Sequence, residues 1–242
     1  MRIGSLLGLT LFMQLAAVPA IMAGDVAELE ILGFSTDGGV FAFEEYGVLD
    51  GSGFPYSYRY YIDTDADKYL PKTPIRVRME DEAATVAEAR ALSLQRGEKI
   101  ISDATLARNP GFTAGFNPVT ELSADPFRME VNPRPIFHPV DQPLEFRLQE
   151  FPLIVPERCQ SLGDIVGYRL LRIDAKDGGQ TRLLHEDKTI PLSRGCPVGY
   201  QLGGVQTFRD EGGSSAYAVL IAVRQYGFEG PDFRWIAVTG RW

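Results

Sequence analysis

Apolar and polar residues alternate with a period of two through most of this chain. Ile75, Val77 and Met79 alternate with Arg76, Arg78 and Glu80, and Leu144, Phe146 and Leu148 alternate with Glu145, Arg147 and Gln149. Side chains two residues apart share one face of a strand, so such segments predict half-buried β-strands. The same reading expects strands over 29–34, 40–46, 56–62, 166–173, 181–185, 198–208, 217–225 and 233–239. Between them, Thr36-Asp37-Gly38-Gly39, Asp177-Gly178-Gly179 and Asp210-Glu211-Gly212-Gly213 supply residues that accept positive φ, which marks them as hairpin turns. One helix is predicted over 82–95, where Ala84, Ala87, Ala91 and Leu94 recur at three- and four-residue intervals and Gly97 offers a stop. Its narrow, Ala-rich stripe suits close packing over a sheet edge. Nine of the sixteen prolines fall between 109 and 156, so that segment is expected to cover the core, with edge strands at most before Leu144. The fold class that follows is mainly β: antiparallel sheets, as a sandwich or a partial-propeller-like assembly, with one short α-helix.

The first residues differ from the rest. Arg2 precedes the apolar run Leu6, Leu7, Leu9, Leu11, Phe12, Met13 and Leu15, and small residues lead to Ala23 before Gly24 and Asp25. The run is too short to span roughly 30 Å of hydrocarbon and has the form of a secretory signal. The expected organisation is a signal peptide over 1–23, cleaved after Ala23, and a single secreted β-rich domain over 24–242, with no transmembrane anchor. The two cysteines, Cys159 and Cys196, both lie in the exported part, and oxidation to a disulfide is expected there.

Charge narrows the partners. Lys plus Arg is 24 against 32 for Asp plus Glu, a net charge of −8, and no basic cluster offsets it. That balance argues against nucleic acid or an anionic membrane as the main partner. The chain has no Gly-x-Ser-x-Gly elbow, no phosphate-cradling loop and no dinucleotide glycine fingerprint, and no cofactor is expected. Asp63-Thr64-Asp65-Ala66-Asp67 starts like a calcium loop, but Lys68 and Pro74 stand where Gly and Glu are required, so it reads as a turn and no metal site is expected. His138 and His185 are too far apart in sequence to make a metal pair.

Two segments carry a shared pattern. Val40 to Gly47 and Leu220 to Gly227 each run as a strand, two polar residues and Tyr-Gly, followed by Gly, Pro and a second strand that opens with Tyr58-Arg59 or Phe233-Arg234. Paired in one sheet, these hairpins would gather Glu44, Glu45, Tyr46, Arg224, Tyr226 and Glu229 near Tyr56 and Tyr58. Phe54, Tyr56, Tyr58 and Tyr60 share one strand face, either as a stacking platform for sugar or peptide or as a surface packed under a neighbouring sheet. The expected function is a non-enzymatic binding or interaction module of the periplasm that takes an envelope protein or a glycan through Glu44, Glu45, Tyr46, Tyr56, Tyr58, Arg224, Tyr226 and Glu229. The alternative is an envelope hydrolase acting through the loop carboxylates, favoured by a cleft that holds Glu44 or Glu45 near Glu229.

The segment Gly33 to Phe43 resembles the blade opening of a TolB-type β-propeller, but it occurs once, where a propeller repeats it about every 40 residues. The segments Phe34 to Tyr46, Asp50-Gly51-Ser52-Gly53-Phe54-Pro55-Tyr56, His185-Glu186-Asp187, Pro191 to Pro197 and Gly227 to Asp232 resemble the family called domain of unknown function 2259, predicted secreted proteins of Gram-negative bacteria. That resemblance spans nearly all of 24–242 and implies an exported envelope protein. It brings no catalytic residue or ligand.

Overall fold

The computed structural model describes residues 24–81, 83–174 and 179–242. The expected signal 1–23 and the turn at 177–178 lie outside them. Three antiparallel sheets stack face to face, so the sandwich form of the expected fold is the one adopted.

The first sheet has β1 (Glu28–Phe34), β2 (Val40–Val48) and β3 (Pro55–Asp63) in order, with β4 (Lys68–Tyr69) and β5 (Ile75–Arg78) both pairing with β3. The middle sheet runs β13 (Pro231–Gly240), β12 (Ser215–Tyr226), β11 (Pro197–Arg209) and β6 (Phe112–Phe116). The third runs β10 (Thr181–Glu186), β9 (Val166–Ile173), β8 (Leu144–Pro152) and β7 (Arg128–Val131). The proline-rich segment therefore supplies two short edge strands, β6 and β7, before the interior strand β8, as its lack of backbone donors requires.

β12 organises both cores. Tyr217, Val219, Ile221 and Val223 face the third sheet, packing with Leu144, Phe146, Leu148, Tyr168 and Leu170. Ala216, Ala218, Leu220 and Ala222 face the first sheet, where the small alanines leave room for the rings of Phe41, Phe43, Tyr56 and Tyr60. A strand buried on both faces reads as a continuous apolar run, which is what 216–223 is.

The outer face of the first sheet is covered by α1 (Val86–Gly97) and α2 (Asp103–Arg108), the second a helix not expected from the sequence. Thr85 and Glu88 form a reciprocal capping box that fixes where α1 begins. Its buried stripe is Ala89, Ser93 and Gly97, one turn apart, rather than the expected Ala84, Ala87, Ala91 and Leu94. The helix lies over the sheet face instead of its edge. Close approach to β3 selects the smallest side chains, and a Cβ on Gly97 would lie 2.2 Å from the Tyr61 hydroxyl. Cys159 and Cys196 form a disulfide that ties the 3-10 turn Glu157–Leu162 to the start of β11.

Candidate functional site

The two Tyr-Gly hairpins lie in different sheets, one above the other, and their loops meet: the Glu229 backbone N–H donates to Asp50 Oδ2 at 2.7 Å. Between them the chain start runs beside β13, with Val26 bridging Phe233 in parallel and Arg234 paired to Asp25 Oδ2 at 2.6 Å. Stacking rather than edge pairing separates the residues expected to form one site.

Glu44 and Tyr46 point to the helix side of the first sheet. Glu44 accepts from Ser57 Oγ (2.8 Å) and from Arg90 Nε (3.0 Å), and the Arg90 guanidinium lies 3.9 Å from the centre of the Tyr46 ring. Tyr56 is fully buried, donating to Asp25 Oδ2 at 3.3 Å under the Arg234 guanidinium. Arg224, Tyr226 and Glu229 are exposed at the strand ends of the middle sheet, where Arg224 donates to the Val198 carbonyl. Glu45 and Tyr58, the remaining two, open into a cleft.

This cleft, about 580 Å³, forms where the first and third sheets continue past β13, the edge of the middle sheet. Its floor is Arg234 to Val238. One wall is the lower half of the aromatic face, Tyr58 and Tyr60, with Lys68, Tyr69 and Arg76; the other is Tyr168, His185 and the turn that carries Ser193 and Arg194. The aromatic face thus divides. Tyr56 and Tyr60 pack under the middle sheet, whereas Tyr58 is half-buried and Tyr69 is 44 % exposed.

Two carboxyl groups line the cleft, and both cap the open edge of β13. Glu45 accepts from the Tyr60 hydroxyl (2.6 Å) and the Trp235 backbone N–H (2.7 Å); Asp67 accepts from the Thr239 N–H (2.8 Å) and its hydroxyl (3.0 Å). Carboxyl groups that take up the donors of such an edge deny them to another strand. Burial pushes both carboxyls above their ordinary values, outweighing these hydrogen bonds. The turn from Asp63 to Asp67 is closed by its own backbone and pinned to the C-terminal strand: Asp63 Oδ1 accepts from the N–H groups of Asp65 and Ala66, and Asp65 pairs with Arg241.

The opposite wall is built on Asp187, whose side chain is 3 % exposed. It accepts from the Tyr168 N–H (3.1 Å), meets His185 Nε2 at 3.0 Å and is paired with Arg194 Nη1. Burial opposes its charge, but these hydrogen bonds and the guanidinium win and hold the carboxyl below its ordinary value. His185 stacks on the Tyr168 ring at 4.7 Å, and Arg194 lies over both Tyr168 and Tyr200. No sequence pattern pointed to these partners of Tyr58: Lys68, Tyr69 and Arg76 reach it through the pairing of β4 and β5 with β3, and Arg194 only when the sheets stack.

No curated protein and no solved structure matches the chain. The family model described as predicted secreted protein, DUF2259, matches residues 42–241. That span takes in the second Tyr-Gly hairpin, the first from Ala42 onward, the disulfide and every wall of the cleft, and no helix among the described residues is long and apolar enough to cross a membrane. The chain belongs to the DUF2259 family of predicted secreted proteins.

Proposed function

We propose that the protein is a non-enzymatic binding module of the periplasm, released from a signal peptide over 1–23, and that it takes a glycan in the cleft beside β13. The single observation that carries this reading is the pair of accessible tyrosines, Tyr58 and Tyr69, on the wall of a concave site large enough for a small sugar chain. Tyrosine faces pack against the apolar face of a sugar ring, and the fixed hydroxyls, guanidinium groups and backbone of the walls supply the polar contacts that orient it. A concave site suits a glycan better than a folded protein partner, whose standard interface is broad and flat.

The hydrolase alternative finds some support in Glu45, a buried acid with a raised value in a cleft. Against it, both oxygens of Glu45 are engaged by Tyr60 and Trp235, and Glu229, its expected partner, is held against Asp50 at the exposed end of the stacked hairpins.

Titration calorimetry of residues 24–242 against a panel of neutral and acidic oligosaccharides tests the binding reading. Replacing Tyr58 and Tyr69 together by Ala is expected to weaken capture at least tenfold, whereas Tyr46→Ala and Tyr226→Ala leave it unchanged. Loss of binding in the second pair alone would return the site to the Tyr-Gly loops; sugar release that disappears in Glu45→Gln would establish the hydrolase.

A further inference from the structure

We infer that the ligand of the cleft is an acidic glycan, a pyranose chain carrying carboxylates, and that Arg194 is the residue that grips the acid. The inference rests on the cleft being the binding site. The Arg194 side chain is nine-tenths buried, yet only Nη1 is engaged, by Asp187 and by Tyr200. Among the described residues Nε and Nη2 have no partner, although Arg194 lines the cleft. Those two nitrogens form one edge of the guanidinium, the fork that receives both oxygens of a carboxylate. Neither nitrogen is sealed from solvent, so the fork opens to the cleft and is free to receive a ligand oxygen pair.

Position and charge agree with this assignment. The guanidinium lies over the touching rings of Tyr168 and Tyr200 and is paired with Asp187, so the fork is held in place before the ligand arrives. Preorganised donors of this kind bind without a further ordering cost. At the opposite wall Lys68 and Arg76 have no carboxylate within ion-pair distance among the described residues, and Arg76 lies 5.8 Å from the centre of the Tyr58 ring. The acids that face the cleft, Glu45 and Asp67, are turned to the backbone of β13, and Arg234 is neutralised by Asp25 and Asp232. In a chain of net charge −8, the cleft therefore presents two unpaired rim cations, Lys68 and Arg76, and the open edge of the Arg194 guanidinium, with a ring face between them. An aromatic face with a carboxylate fork and two rim cations matches a uronic acid chain.

The test compares trigalacturonate with its methyl ester, which keeps the sugar rings and removes the charge, by calorimetry at low and moderate salt. Inorganic phosphate serves as a separate probe for a free anion. The wild-type protein is expected to bind the acid at least tenfold more tightly than the ester, with affinity falling as salt rises. Arg194→Lys, with folding checked by near-ultraviolet circular dichroism, is expected to abolish the preference, bringing the affinity for the acid down to that for the ester. Because Arg194 supports the wall, the exposed pair Lys68→Ala and Arg76→Ala is a second arm, expected to flatten the salt dependence with no change in melting temperature. Equal affinity for acid and ester, a preference that survives both sets of substitutions, no binding of either trimer, or phosphate binding as tightly as the acid would each overturn the inference. If acid and ester bind equally and the Tyr58 and Tyr69 substitutions weaken both, the cleft reading stands and the acid preference alone fails.

Discussion

The two walls of the cleft each hold one buried acid, and they treat it in opposite ways. On the first-sheet wall Glu45 meets a hydroxyl and a backbone N–H, both neutral donors, and burial raises its carboxyl above the ordinary value. On the third-sheet wall Asp187 meets a guanidinium, an imidazole and an N–H, and stays ionised below that range. One acid is thus shifted toward its neutral form and the other toward its charge. Glu45 is the more deeply enclosed and feels Arg234 and Arg76 only through space, whereas Asp187 is hydrogen-bonded directly to the Arg194 guanidinium, and that bond helps outweigh its desolvation. The first wall is an edge cap, and the second is a rigid mount for Arg194.

The strongest challenge to this contrast is to remove each acid in turn. Asp187→Ala leaves Arg194 buried without its partner and is expected to cost about 3–5 kcal/mol in urea unfolding. Losing the disulfide behind the same wall, through Cys159→Ser with Cys196→Ser, is expected to cost about 2–4 kcal/mol under oxidising conditions, since the bridge closes a loop across 37 positions. Glu45→Gln should cost no more than about 1 kcal/mol, because the amide oxygen accepts from Trp235 and the Tyr60 hydroxyl turns to accept from the amide nitrogen. Equal costs for the two acids would break the contrast.

Their pH responses have opposite signs. The stability that Asp187 contributes is present above its unfolded value and is lost as pH falls through its lower folded value; that of Glu45 is present below its unfolded value and is lost as pH rises through its higher folded one. Melting temperature followed against pH should show Glu45→Gln flattening the decline on the rising side, while Asp25 and Asp67, also raised by burial, retain part of it. The smallest effect is expected at the surface pair: Arg241→Ala, which frees the largely exposed Asp65, should change stability by about 0.5 kcal/mol or less, a change that moderate salt removes.

The strands were legible wherever one face is polar: β5 follows its alternation residue by residue, and β8 departs from it at Glu145, which is buried and paired with Arg128 and Arg147. What the pattern does not carry is which sheet lies against which face. Glu44 and Glu45 are neighbours in sequence and both buried, yet one belongs to the helix layer and the other to the cleft, because both faces of β2 are covered. The helix shows the same limit: its alanines gave the right element and the wrong stripe, since Ser93 and Gly97 bury for their size and not for their apolarity. Tyr58 and Glu45 were visible as candidates, but Arg194 sits in a short turn with no periodicity, and only the stacking of the sheets brings it opposite them.

The double duty of β12 bears on how this chain tolerates change. A deletion of one residue within 216–223 would send the alanines toward the third sheet and the tyrosine and valines toward the first, so voids would open on one side while crowding arose on the other. Here length itself is under constraint, and families built on this plan should vary in their loops long before they vary in the size of this strand.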